Sequence, residues 1–362
     1  MKVLQIITSL NTGGAEKLII DTVPLYQQKG IKMDVLSLKK NKTPFWNQLE
    51  KNSIGKIIGL TTGSVYNPLL VFKIIPYLKK YDLIHAHLFP VLYWVVLAKW
   101  ISFSKTKIVY TEHNTNNKRR EKKLFQKIDR IIYSGLHQII TISLEVDNKL
   151  KEHLKGKEKD IELIHNGVDI QKFATAKAYA KADFFNKDCF ILIQVSSFRE
   201  QKDQPTLIKS LNFLPNNIKL LLVGDGHLKI NCEKLVNDLN LQNRVKFLGL
   251  RNDVPSLLHM ADISILSSYY EGFGLAIVEG MASNKPVIAS DVPGLREIVK
   301  DYGLLFQQGN SKELADIVLR LYNDKEYYDE VVDKCLNRAK EFHIDKMVNS
   351  YINVYENILK NA

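Results

Sequence analysis

The sequence predicts an α/β protein built from two doubly wound, Rossmann-like domains that face each other across a cleft. Short apolar runs alternate with helical stretches along the whole chain. The runs are continuous rather than alternately apolar and polar, as in parallel strands covered on both faces. The alternation restarts after the turn Asn166-Gly167-Val168-Asp169, where Asn-Gly marks a break between domains. The 362 residues, 45% hydrophobic and 25% charged, have globular composition and the length of two ordinary domains. The expected boundaries are 1–165 and 166–344, with a separate terminal helix over 345–362.

In the first half, strands are expected at Val3–Thr8, Met33–Leu38, Lys56–Leu60, Asp82–His87, Lys107–His113, Gln138–Ser143 and Ile161–His165. Helices fit between them, among them Ala15–Gln28, Leu69–Lys80 and Arg120–Ser134. The longest apolar stretch, Leu88–Phe103, is shorter than the roughly 18–20 residues of a membrane span and contains Pro90 and Lys99, so it reads as a buried helix. The apolar run Val3–Ile7 is too short for the core of a signal peptide. In the second half, strands are expected at Phe190–Ser196, Lys219–Val223, Val245–Leu248, Ile263–Leu266 and Pro286–Ala289. Cys189, Cys232 and Cys335 are odd in number, far apart and without metal spacing, which fits a reducing compartment and neither a disulfide framework nor a zinc site.

The formal net charge of +12 lies entirely in the first half, where residues 1–165 carry 27 Lys and Arg against 14 Asp and Glu. Such asymmetry fits an anionic partner, whether membrane, lipid phosphate or nucleic acid; a generally lysine-rich composition explains it equally simply. The segment Asn117-Lys118-Arg119-Arg120-Glu121-Lys122-Lys123 opens a helix with Leu124, Ile128, Ile131 and Ile132 expected on one face. A basic amphipathic helix suits a membrane surface, and a docked helix with a solvated basic face fits the same pattern.

The most informative stretch is Glu271-Gly272-Phe273-Gly274-Leu275-Ala276-Ile277-Val278-Glu279, where an apolar strand runs into a small-residue helix. A helix start offers unpaired N–H groups and a positive dipole end, so it favours an anion such as a diphosphate. Carboxylates on either side of that anion can accept hydrogen bonds from sugar hydroxyls. Gly13 and Gly14, before the first helix, allow the same close approach, or form an ordinary turn; their spacing is not that of a dinucleotide site. After the first strand of the second half, Ser196-Ser197-Phe198-Arg199-Glu200-Gln201-Lys202 brings Arg199 and Lys202 to a strand end, as a diphosphate clamp or a plain surface pair. The strand-end turns Val223-Gly224-Asp225-Gly226 and Gly249-Leu250-Arg251 can place backbone around a base. His113, flanked by Glu112 and Asn114, reads as a polar group at the cleft or a hydrogen-bonded buried histidine. His85 and His87 share one face of a strand and read as structural, with no carboxylate or cysteine at spacing that supports a metal.

Taken in order, these elements resemble the retaining glycosyltransferases of family 4, of the two-domain GT-B fold, over essentially the whole chain. The most specific match is the pair Glu271 and Glu279 with Gly272-Phe273-Gly274 between them. The Gly13-Gly14 loop, Asn166-Gly167-Val168-Asp169, Gly224-Asp225-Gly226 and Ser290-Asp291-Val292-Pro293-Gly294 before Glu297 support it.

The resemblance implies that Glu279 binds ribose hydroxyls and that Glu271 and His113 contact the donor sugar. Backbone at Gly13, Gly14, Gly274, Leu275 and Ala276 holds the diphosphate, and Lys202 stabilises it as it leaves. Ser197, Gly224 and Leu250 belong to the donor site. The arginine that usually stands five positions before that lysine is missing: the position is Ser197. Arg199, two residues on, lies on the same face if the segment stays extended, and is expected to supply the guanidinium.

The resemblance implies no metal and no cofactor, a UDP-sugar as donor, and a saccharide or lipid-linked acceptor. It implies a terminal helix packed back on the N-terminal domain. The expected setting is cytoplasmic, peripheral at an anionic membrane through the basic half, with no nucleic-acid partner. The rival readings are a GT-B epimerase or phosphorylase, and a non-catalytic subunit that binds nucleotide-sugar. A glycosidase also uses two carboxylates, about 5–9.5 Å apart, but has no phosphate to bind at a helix start.

Overall fold

The computed structural model describes residues 1–115, 122–156 and 161–360. The chain divides into two compact units, Met1–Gly167 with Ile344–Ala362, and Val168–His343.

The first unit holds seven strands: β1 (Lys2–Ile7), β2 (Lys32–Lys39), β3 (Ile57–Thr61), β4 (Leu83–His87), β5 (Lys107–Glu112), β6 (Gln138–Thr141) and β7 (Ile161–Leu163). They form one sheet in the order β3-β2-β1-β4-β5-β6-β7, with every pairing parallel. The order reverses between β1 and β4, and a doubly wound sheet opens its ligand crevice at the strand ends beside such a switch. One face of the sheet is an apolar core: Leu4, Ile6, Leu36, Ile84, Ala86, Ile108 and Tyr110 pack against Ile74, Val95 and Ile132 from the covering helices. On the three central strands the other face carries Gln5, His85, His87 and Thr111, all buried. The terminal helix Ile344–Lys360 supplies the buried Tyr351 and Tyr355 to these groups.

The second unit holds β8 (Phe190–Val195), β9 (Ile218–Val223), β10 (Val245–Gly249), β11 (Ile263–Leu266), β12 (Val287–Ser290) and β13 (Leu304–Phe306). Again all pairings are parallel, in the order β10-β9-β8-β11-β12-β13, with the switch between β8 and β11. β13 has three residues, and a run as short as Leu304-Leu305-Phe306 carries no periodicity to read.

The long apolar stretch of the first half forms the helix Val91–Ile101, with Leu92, Val95 and Val96 buried. No helix among the described residues is long and apolar enough to cross a membrane.

The basic helix differs from expectation. It runs from Lys123 to Ser134 and buries Asp129, Ile132 and Tyr133, while Leu124 and Ile131 are exposed. Asp129 turns this face inward because it accepts hydrogen bonds from Tyr93 and from Nε2 of the buried His153, the latter at 2.7 Å. The segment from Asn117 to Glu121, with Lys118, Arg119 and Arg120, lies outside the described residues.

Candidate active site

In the second unit the expected residues gather at the carboxyl ends of β8 and β11, beside the switch. β8 ends at Val195, and Gln194 behind it is fully buried. The Gln194 amide donates to Ser196 Oγ and to the Lys202 carbonyl, both at 3.0 Å, and its oxygen accepts from Ser267 Oγ at 2.9 Å. Ser267 Oγ also lies 2.8 Å from the Asp203 carbonyl. The backbone of Lys202 is thus held from below by two buried polar side chains.

The 3-10 turn Glu200–Lys202 then closes on Asp203, whose φ of +42° lets its carboxylate cap the next helix at Thr206. The loops after β8 and β11 are joined directly: Tyr269 N–H donates to the Gln201 carbonyl and Gln201 Nε2 to the Tyr270 carbonyl, both at 2.8 Å.

Lys202 Nζ forms a short ion pair with Glu271 Oε1. Ser268 Oγ donates to the same oxygen at 2.7 Å. The side chains of Lys202 and Glu271 are only 18% and 8% exposed, so the pair is largely desolvated.

Gly274 follows, at φ +86°, and opens the helix Leu275–Ala282 with no side-chain cap. The left-handed backbone favours glycine, and a Cβ would lie 2.4 Å from Leu295 Cδ2, which would have to move. The amides of Leu275 and Ala276 stand in the first turn, and Glu279 is buried one turn in. Gly294, at the start of the helix Pro293–Val299, lies so close beneath Glu271 that a Cβ there would meet the Glu271 carbonyl oxygen at 2.2 Å.

Gly224 packs with equal closeness, its φ of +131° bringing a hypothetical Cβ to 2.1 Å from the Ser196 carbonyl oxygen. Its N–H donates to the Gly249 carbonyl at 2.8 Å, beside the half-exposed Leu250. Ser197 is half-buried, and its carbonyl accepts from Gln204 Nε2 at 2.9 Å.

The condition set for Arg199 is not met. The segment does not stay extended beyond β8: Arg199 N–H bonds back to the Ser197 carbonyl at 3.1 Å, closing a tight turn around the buried Phe198. Ser197 and Arg199 therefore do not lie on one continuous strand, and the Arg199 side chain is exposed. Phe198 forces this turn, because it buries its ring against Phe247 while its N–H bonds the Asp225 carbonyl.

In the first unit, Gly13 and Gly14 lie after β1 and open the helix Gly14–Gln28, again without a side-chain cap. Glu16, in its first turn, lies against Gly13, where a Cβ would meet Glu16 Oε2 at 2.4 Å. A diphosphate at this helix start would have to displace that carboxylate.

His113 follows β5. The buried Glu112 before it accepts from Asn114 N–H at 3.1 Å and from Tyr133 OH at 3.0 Å, pinning the turn. His113 Nε2 lies 3.0 Å from His87 Nδ1, and His87 Nε2 lies 2.5 Å from Gln5 Oε1. His85 bonds Tyr355 OH at 2.6 Å and Thr111 Oγ1 at 2.7 Å. Burial disfavours the charged imidazole: His113 is pushed down to about 4 despite the nearby Glu112, and His85 and His87 lie well below the usual histidine range.

No local sequence pattern marks several of these partners: Gln5, Thr111, Gln194, Ser267 and Ser268. The alternation His85-Ala86-His87 and the i, i+4 pair Tyr351 and Tyr355 were the available signals for the polar face.

Comparison with known proteins agrees with this architecture. The family model described as Glycosyltransferase Family 4 matches residues 12–172, and that described as Glycosyl transferases group 1 matches residues 176–341. The N-acetyl-alpha-D-glucosaminyl L-malate synthase of Bacillus anthracis is 29% identical over 290 residues, 77% of this chain and 75% of that protein. The UDP-Gal:alpha-D-GlcNAc-diphosphoundecaprenol alpha-1,3-galactosyltransferase of Escherichia coli is 27% identical over 303 residues, 78% of this chain and 77% of that protein. Among solved structures, Anabaena HepE in complex with UDP and glucose superposes with a TM-score of 0.87 at 25% identity, covering 99% of this chain and 100% of that one. Matched in both halves by the models of one enzyme family, and folded as two parallel-sheet α/β units, this chain belongs to glycosyltransferase family 4 and is a glycosyltransferase.

Proposed function

We propose that this enzyme moves a sugar, with retention of anomeric configuration, from a UDP-sugar to a saccharide or lipid-linked acceptor in the synthesis of a bacterial surface polysaccharide or glycoconjugate. The observation that carries the reading is the desolvated Lys202–Glu271 pair beside the uncapped, Gly274-opened helix start, at the switch of the second sheet. A diphosphate arriving there finds an ammonium and backbone N–H groups, and competes with Glu271 for Lys202. The carboxylate released from Lys202 can accept from a sugar hydroxyl. HepE, which binds UDP and glucose, and the E. coli relative, named for a UDP-galactose donor and a diphospholipid acceptor, support the same class of ligands.

In this reading Glu279 takes the ribose hydroxyls. Ser197, Gly224 and Leu250 border the nucleotide, Gly13 and Gly14 approach the diphosphate, and His113 meets the sugar. The acceptor oxygen bonds the anomeric carbon as the bond to the β-phosphate oxygen breaks, on the same face. The acceptor's proton passes to that phosphate oxygen, whose charge Lys202 and the helix start stabilise. No metal is required in this scheme, so chelation with EDTA leaves turnover unchanged.

The enzyme is further proposed to act as a peripheral protein at the cytoplasmic face of an anionic membrane. Its basic half carries the exposed Leu124 and Ile131 beside the exposed Lys123 and Lys127 on one helix, a pattern suited to an interface.

A panel of nucleotides and nucleotide-sugars tests the central reading. A ligand at a hundred times its Kd adds about 2.7 kcal/mol to stability, a clear rise in melting temperature. UDP and one or more UDP-sugars are expected to give that rise, and turnover with acceptor separates a transferase from a subunit that only binds. A panel in which no nucleoside diphosphate or its sugar shifts the melting point would sink the proposal.

A further inference from the structure

The polar face of the first sheet forms an ordered chain of hydrogen bonds that ends on His113. Gln5 on β1, His85 and His87 on β4, and Thr111 on β5 occupy alternate positions of three adjacent strands, so their side chains meet on one face. Gln5 stands in register with His85, and His87 with Thr111. All four are at most 6% exposed.

The direction of each bond follows from donor chemistry. Gln5 Nε2 points at Met33 Sδ at 3.6 Å and at Tyr355 OH at 3.4 Å. A thioether only accepts, so the NH2 end of the amide belongs there and the carbonyl end faces His87. The Gln5 oxygen accepts from His87 Nε2 at 2.5 Å, which places the His87 proton on Nε2. A neutral imidazole carries one proton, so His87 Nδ1 is an acceptor, and His113 Nε2, 3.0 Å away, must donate. The His113 proton is thereby fixed on Nε2 and its lone pair on Nδ1. Desolvation keeps all three rings neutral near pH 7, which the single-proton count requires.

We propose that Gln5 and His87 are positioning residues that lock His113 as the Nε2–H tautomer, so that its Nδ1 meets the sugar as a hydrogen-bond acceptor. The tautomer follows from this face alone; its use in transfer rests on the role proposed above for His113. Met33 and Tyr355 act one step further back, by orienting the Gln5 amide. The terminal helix thus contributes Tyr355 to the chain that sets the state of His113.

The test uses the full chain with 15N-labelled histidine. Long-range proton–nitrogen spectra at pH 7, with His113→Gln for assignment, distinguish protonated from bare ring nitrogens. The expected pattern for His113 is protonated Nε2 and bare Nδ1; the reverse pattern, or an even mixture, overturns the proposal. His87→Phe removes the acceptor and is expected to mix the two tautomers and lower kcat about tenfold or more, with donor KM changed less than about threefold. His87→Gln, which restores an acceptor oxygen, recovers much of the loss. Should His87→Phe fail to fold, the wild-type spectrum and Gln5→Leu, which removes the acceptor that fixes the His87 proton and is expected to mix the His113 tautomers, still decide. The expected tautomer with kcat unchanged in the His87 variants overturns the positioning role. The expected tautomer in a protein that turns over no nucleotide-sugar overturns the transfer reading instead.

Discussion

Lys202 and Glu271 hold each other in a setting from which water is largely excluded. Breaking such a pair on one side leaves a buried charge without its partner, at a cost of about 3 kcal/mol. Lys202→Met is therefore expected to lower the melting temperature by several degrees. Lys202→Met with Glu271→Leu is expected to recover most of that stability while still failing to bind UDP; calorimetry and UDP titration check both halves. A double variant as unstable as the sum of the two singles contradicts direct pairing. Arg199 belongs to the same loop but is exposed, and its N–H bonds back to the Ser197 carbonyl. Arg199→Ala is expected to change donor turnover by less than about threefold, since an exposed side chain off the strand face contributes little to a fixed geometry. A loss of a hundredfold would restore Arg199 as the guanidinium of the clamp.

Among the elements, the close approach of the helix Pro293–Val299 to the Glu271 segment is the most exacting contact. A methyl at Gly294 would sit 2.2 Å from a backbone oxygen that has no side-chain freedom to yield. Gly294→Ala is expected to cost about 1–3 kcal/mol and to cut turnover more than tenfold by shifting Glu271. Gly63→Ala, which meets only Thr61 Oγ1 at an ordinary 3.5 Å, is the control and leaves both unchanged. The histidine face of the first sheet sets a second expectation. Its rings are pushed below the free value of about 6.5, so below that pH the unfolded chain binds more protons than the folded one. Stability is thus intact above pH 6.5 and falls as the pH drops towards 4, by up to about 1.4 kcal/mol per pH unit for each such histidine. Melting curves from pH 8 to pH 4 check the sign; a midpoint that rises on acidification refutes it.

For the whole molecule, the excess positive charge and the exposed Leu124 and Ile131 point the same way. The protein is expected to float with vesicles rich in anionic lipid, to leave them in high salt, and to bind neutral vesicles weakly. Leu124→Ser with Ile131→Ser is expected to lower the bound fraction severalfold without altering donor turnover in solution. Indifference to lipid charge and to salt would remove the membrane from the proposal. The two family models meet between residues 172 and 176, close to the boundary between the compact units at Gly167 and Val168. The terminal segment from Ile344 rejoins the first unit, outside both models.

Much of this was legible in the sequence because parallel strands buried on both faces leave continuous apolar runs, and glycines mark where backbones meet. The strands from Val3 to Ile288 fall within a residue or two of expectation, and Glu271, Gly274 and Glu279 declare a helix start suited to an anion. The sequence could not tell which way the loop after β8 turns, because that depends on Phe198 finding Phe247 on a distant strand. Nor could it tell which face the helix Lys123–Ser134 buries, because Asp129 is drawn inward by Tyr93 and His153 from other helices. The chain from Gln5 through His87 to His113 spans three strands far apart in sequence. Local pattern specifies elements and the glycines between them. Directional bonds between remote side chains exist only once the sheets have formed, and those bonds decide which groups face one another at the site.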